Sequence, residues 1–170
     1  MNEFNITDYL EQLCRESALC AREKFKFCKV TGLSGFEGVI GNFAERALFA
    51  VDDTADGNLS KTNSGYVDTR FTTVYLIRKF EFQDMEDQRR SMRICTDLFY
   101  SLLKRLIHDR RMLEGHKVFI DTEDTSYHEI PEFFANGSTG IYFNIAFSVP
   151  KVMCFSPDEW ERAIMNVPHP

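Results

Sequence analysis

Long apolar runs are missing from this 170-residue sequence. None approaches the roughly 18 residues that a membrane-spanning helix needs. The opening MNEFNITDYLEQL is acidic and polar and lacks the basic-then-apolar pattern of a signal peptide. The expectation is a protein of the cytoplasm or of a particle assembled there, neither secreted nor membrane-bound. Cysteine is scarce and odd in number: Cys14, Cys20, Cys28, Cys95 and Cys154, with no CxxC pair. That excludes a dense disulfide scaffold and the usual zinc clusters, and leaves free buried thiols in a reducing compartment. Basic charge is not in excess. The formal net charge is −6, so the overall field does not draw the chain to nucleic acid, which is not an expected partner.

Assembled catalytic motifs are also missing. The four histidines, His108, His116, His128 and His169, form neither HExxH nor HxH. His128 and Glu129 are adjacent, so on a strand they point to opposite faces. His116 and His128 could meet across strands but would need a third ligand to hold zinc. There is no GxSxG elbow; Leu33-Ser34-Gly35 has the wrong glycine spacing. The segment TGLSGFEGVIG, residues 31–41, has glycines at 32, 35, 38 and 41. It is neither GxGxxG nor a Walker loop and reads as a flexible or closely packed loop. DDTADGN resembles the opening of a calcium loop, with oxygens at Asp52, Thr54 and Asp56 and a turn at Gly57. Its twelfth position is Asn63 instead of a bidentate Glu. An acidic surface turn is the simpler reading. Asp121, Glu123 and Asp124 follow a short strand and are read as solvated loop acids. No catalytic, cofactor-binding or metal-binding residue is assigned, and no cofactor is expected. The chain is read as a non-enzyme.

What is present is a patterned α+β chain. Its apolar share is 44% and it holds 16 phenylalanines, enough for a core, with a surplus that could line a protein contact. Asn5 or Thr7 can cap a first helix. Leu10, Leu13, Cys14, Ala18 and Ala21 give it one apolar face, and it is expected to run over about 7–27. Residues 46–51 (RALFAV) form a short strand candidate. The polar stretch 52–68 is rich in turn-formers and is expected as an exposed loop, the kind of long loop that usually has a job. TRFTTVYLIRKFEF, residues 69–82, is the strongest strand signal, apolar on both faces in its middle.

A long amphipathic helix is expected over about 86–112. Its apolar stripe includes Met92, Cys95, Leu98, Phe99, Leu102 and Leu106. Laid on the sheet it would supply core; as a contact helix between subunits it would look the same. Its basic residues Arg89, Arg90, Arg93, Lys104, Arg105, Arg110 and Arg111 are mixed with Asp97 and Asp109 and read as a solvated face. Nucleic-acid binding would require Arg89, Arg93 and Lys104 to gather on one exposed stripe. Residues 117–120 and 127–134 are shorter strand candidates, the second interrupted by Pro131. Asn136-Gly137-Ser138 is a turn signal. GIYFNIAFSV, residues 140–149, is a second clear strand. A helical turn or two could start at Ser156, with Pro157 and Glu159 in favourable places.

One α+β domain over residues 1–170 follows, with an antiparallel or mixed sheet packed by the long helix and by the N-terminal helix. The stretches TRFTTVYLIRKFEF, MRICTDLFYSLLKRLI and NGSTGIYFNIAFSVP, in this order, resemble the tail-terminator and tail-completion proteins of tailed bacteriophages. The resemblance implies a small domain whose copies form a ring at the end of the tail tube, a structural protein of virion assembly in a phage or prophage. Its partners would be other copies of itself and other structural proteins, and no catalytic residues carry over. A monomeric protein-binding adaptor is the first alternative. A small hydrolase is the second; it would require His116 or His128 to converge with the acids at 121–124.

Overall fold

A computed structural model describes residues 4–32, 35, 38, 39, 44–54, 56–123, 125–133 and 137–154, with the side chains of 131–133 left aside. Asn5 caps the first helix, α1 (Ile6–Glu16), by accepting hydrogen bonds from the amides of Thr7 and Asp8 at 2.9 and 3.2 Å. The helix stops at Ser17, whose hydroxyl accepts from the amide of Cys20 and so caps α2 (Ala18–Glu23). Lys24 then turns left-handed at φ 58°, and the chain enters strand β1 (Phe25–Val30).

The expected single helix over 7–27 is therefore corrected. Ser17 competes for backbone amides and splits it. FKFCKV has a buried residue at each end, Phe25 towards the helices and Val30 on the opposite face, and pairs with Ala47–Asp52 as a strand.

Strand β2 (Ala47–Asp52) is buried along almost its whole length. It lies parallel to β1 and antiparallel to the strand over Gly65–Lys79. Strands β3 (Asp56–Thr62) and β4 (Gly65–Lys79) form a hairpin. Most of the described residues of 52–68 are exposed, and much of the stretch is strand instead of the expected loop. Its Asp, Asn, Ser, Thr and Gly residues face water on both sides, so no apolar alternation marks it, and cross-strand pairing holds it.

Asp84 caps the third helix, α3 (Met85–Gly115), by accepting from the amides of Glu86 and Asp87 at 2.9 and 3.1 Å. Strands β5 (Phe119–Asp121), β6 (Tyr127–Phe133) and β7 (Ser138–Lys151) complete the sheet. The register of β6 shifts between Ile130 and Phe133, across Pro131, where a missing amide would break a regular ladder.

The architecture is α+β with a mixed sheet in the order β1-β2-β4-β7-β5. The two long central strands β4 and β7 pair from Tyr66–Lys151 to Lys79–Ser138. On the outer side of β4, β3 occupies its first half and β2 its second. On the outer side of β7, β6 occupies its first half and β5 its second.

The helices cover one face of the sheet. Leu98, Phe99, Leu102 and Leu106 of α3 and Leu10 and Leu13 of α1 pack on Phe49, Leu76, Ile141 and Phe143. A smaller cluster, Val30, Leu48, Ala50 and Ile77, lies on the other face with Val39 against it. Gly140 stands opposite Ile77 in the β4–β7 pair. A methyl there would run into the Leu76 carbonyl and lie 2.9 Å from the Ile77 Cα. No helix among the described residues is long and apolar enough to cross a membrane.

Candidate protein-contact surface

β3, the first half of β4 and the end of β7 pair side by side as a three-stranded arm. Its tip is a two-residue turn, with Thr62 opposite Gly65. The Thr62 hydroxyl donates to the Gly65 carbonyl at 3.0 Å and accepts from the Ser64 amide at 3.2 Å, while Gly65 takes φ 124°. Within the arm, Thr69 and Ser148 share a hydroxyl hydrogen bond of 2.8 Å, and Arg70 donates to Asp68 at 3.2 Å. Every β3 residue is exposed apart from half-buried Ser60. The arm carries apolar groups into water: Leu59 is 47% exposed, Phe71 44% and Tyr66 37%, and just past β7 Val152 is 87% exposed. Leu59 stands opposite Asp68, and Phe71 opposite Asp56, so the two apolar groups lie on opposite faces of the arm.

β3 pairs with β4 alone among the described strands. Its second edge is therefore a row of backbone donors and acceptors open to pairing, with Lys61 as its only basic guard. β1 is likewise a terminal strand, but its Lys26 is held by Glu45 at 2.8 Å and its Lys29 by Asp8 at 3.0 Å.

At the root of the arm, beside the start of α1, lies a cleft of about 380 Å³. Phe4, Thr7, Lys29, Asp53, Arg70 and Lys151 are among its walls. Phe4 and Phe147 both line it, with ring centroids 5.9 Å apart, and Tyr9 packs on both rings.

The residues weighed from the sequence for other chemistry are dispersed. Asp52 accepts from the amides of Gly32 and Thr54 at 3.1 and 2.9 Å, and Asp53 from the Thr31 hydroxyl. Asp56 opens β3 and Asn63 sits in the turn at the far end of the hairpin, so the calcium-like positions do not curl round one point. His116 caps the end of α3 on the helical face. His128 stacks on Tyr142 at 4.9 Å on the opposite face. The two histidines do not meet. Asp121 accepts from the Glu123 amide, and Glu123 lies 3.7 Å from Arg110. Asp124, most of the glycine-rich segment 32–41, the turn residue Asn136 and the stretch from Ser156 onward lie outside the described residues. Among the described residues no group of three His, Cys, Asp or Glu is placed to hold a metal ion.

Sequence reasoning passed over β3 as a strand. The signal was there in Thr62-Asn63-Ser64-Gly65, a turn set between two short β-compatible runs. Compared with protein-family models and with curated proteins, the chain matches none.

Proposed function

We propose that this protein is a non-enzymatic assembly subunit that works by contacting other chains, with the β arm as its main contact element. The open edge of β3 carries this reading. A seven-residue strand with one free side and exposed Leu59 is material for adding a neighbour's strand. Closed cyclic symmetry would satisfy such an edge without open-ended growth. In the specific version that the sequence resemblance suggests, the copies form a ring that completes a phage or prophage tail.

Hydrogen exchange at low and high protein concentration tests it. Amides of residues 56–62 should gain protection at high concentration while those of α3 stay unchanged. Equal exchange of 56–62 at both concentrations would count against the arm as the contact.

The cleft at the arm root favours a second reading, a monomeric adaptor that takes a partner's segment there. A strict monomer whose arm exchanges freely at every concentration would move the weight to it.

A further inference from the structure

The outward side of α3 carries a feature that the assembly reading does not use. Arg90, Arg93, Asp97, Tyr100, Lys104, Ile107 and Arg111 recur at alternating spacings of three and four, and all are exposed. They form one stripe that winds slowly round the helix, roughly 32 Å long at 1.5 Å per residue. Among the described residues Arg90, Arg93, Lys104 and Arg111 have no ion pair, although the helix has Glu86 near its start and Glu114 near its end. Of the three residues that nucleic-acid contact would require on one exposed stripe, Arg93 and Lys104 share it, while Arg89 lies beside it, paired with Glu86 at 2.9 Å, so the condition is met only in part.

The charges fall into two groups. Arg90 and Arg93 stand at one end, Lys104 and Arg111 at the other. Between Arg93 and Lys104 lies a gap of roughly 16 Å, comparable with the width of a duplex major groove, about 12 Å. Asp97, the lone acid of the stripe, falls in that gap.

We propose that the outer face of α3 lies across the groove of a nucleic-acid duplex, with Arg90 and Arg93 on one sugar–phosphate strand and Lys104 and Arg111 on the other. The grouping selects this partner over others. A second copy of the same face would set four unpaired cations against four. A single strand would need several stacking rings, and the stripe offers Tyr100 alone. A uniformly acidic protein surface gives no reason for an acid midway between two basic groups. The contact is sequence-independent, since phosphates carry it. It also works against the chain's net charge of −6, so it is a local property of one helix.

The test uses the full chain and a fluorescein-labelled 30-base-pair DNA of arbitrary sequence, with anisotropy read from 50 to 200 mM salt. Four phosphate contacts give a slope of log K on log salt of about −3 to −4, so affinity should fall roughly 100-fold over that range. The quadruple variant Arg90→Gln, Arg93→Gln, Lys104→Gln and Arg111→Gln should lose most of the binding with an unchanged circular dichroism spectrum. Asp97→Lys should tighten binding, a gain that misfolding cannot produce. The proposal is overturned by no binding at 50 mM salt, by binding that the quadruple variant retains, or by poly-L-glutamate competing as well as unlabelled duplex. That last result would reassign the face to an acidic protein.

Discussion

The Tyr9 hydroxyl donates to Asp109 Oδ2 across 2.9 Å and ties α1 to α3 over a hundred positions of sequence. Arg105 donates to the same oxygen at 2.7 Å and reaches Glu16 of α1 at 2.9 Å. Burial alone would raise the Asp109 carboxyl, but the hydrogen bonds from His108, Tyr9 and Arg105 outweigh it and hold the group below the usual carboxylate range. Burial and then Asp109 push the Tyr9 hydroxyl well above its ordinary range. The depressed carboxyl contributes stability above its unfolded value of about 4, and this is lost as pH falls through its lower folded value. Asp109→Asn should cost about 2 kcal/mol at pH 7. In urea titrations from pH 7 to pH 3, the gap between wild type and this variant should narrow below about pH 4. A gap that stays constant would show that the ionised carboxylate is not what matters.

Gly140→Ala should destabilise the fold by about 3 kcal/mol, because the added methyl meets backbone on the central strand, which cannot rotate away. Thermal melting reads the effect directly. Gly115→Ala is the control, since nothing lies within 4 Å of a methyl there.

Arg78 is buried in β4, with its side chain 5% exposed, and its guanidinium lies 2.9 Å from Glu23 of α2. Glu23→Ala would leave that charge buried without its partner, at a cost of about 3 kcal/mol. Replacing both residues together, as Glu23→Gln with Arg78→Met, should recover much of the loss. A double variant less stable than the single one would remove the pairing as the explanation.

One thiol of the five should react quickly with Ellman's reagent under native conditions. Cys154 is exposed, whereas Cys14, Cys20 and Cys95 are buried. Cys28 is half-buried, and burial, with the nearby Glu45 charge, pushes its thiol up to about 11. The remaining four thiols should titrate only in denaturant. A second fast thiol in the folded chain would contradict this, whether it came from half-buried Cys28 or from one of the three buried cysteines.

The central elements were legible in the sequence because their residues had one task. Leu98, Phe99 and Leu102 repeat at helical spacing, and Ile141, Phe143, Ile145 and Phe147 repeat at strand spacing, since each set fills one core. The break at Ser17 was not legible, because Cys14, Ala18 and Ala21 keep a helical rhythm across it while a single hydroxyl decides the geometry. β3 was illegible for the opposite reason. Both its faces meet water, so pairing with β4 leaves no mark on its hydropathy. The proposed contact surface was thus the part least visible in sequence, although the polar composition of residues 52–68 marked its position.

The most direct measurement is the absolute mass in solution, by light scattering on a sizing column over a concentration series. It would be run on the wild type and on a variant whose open edge is guarded by Asn58→Lys, Leu59→Lys and Ser60→Lys. None of these three side chains is buried, so the variant should keep its fold. The wild type is expected to grow reversibly to one closed oligomer while the guarded variant stays a monomer. A wild type that remains monomeric at the highest concentration, or a guarded variant that assembles like it, would contradict the arm as the surface through which this protein works.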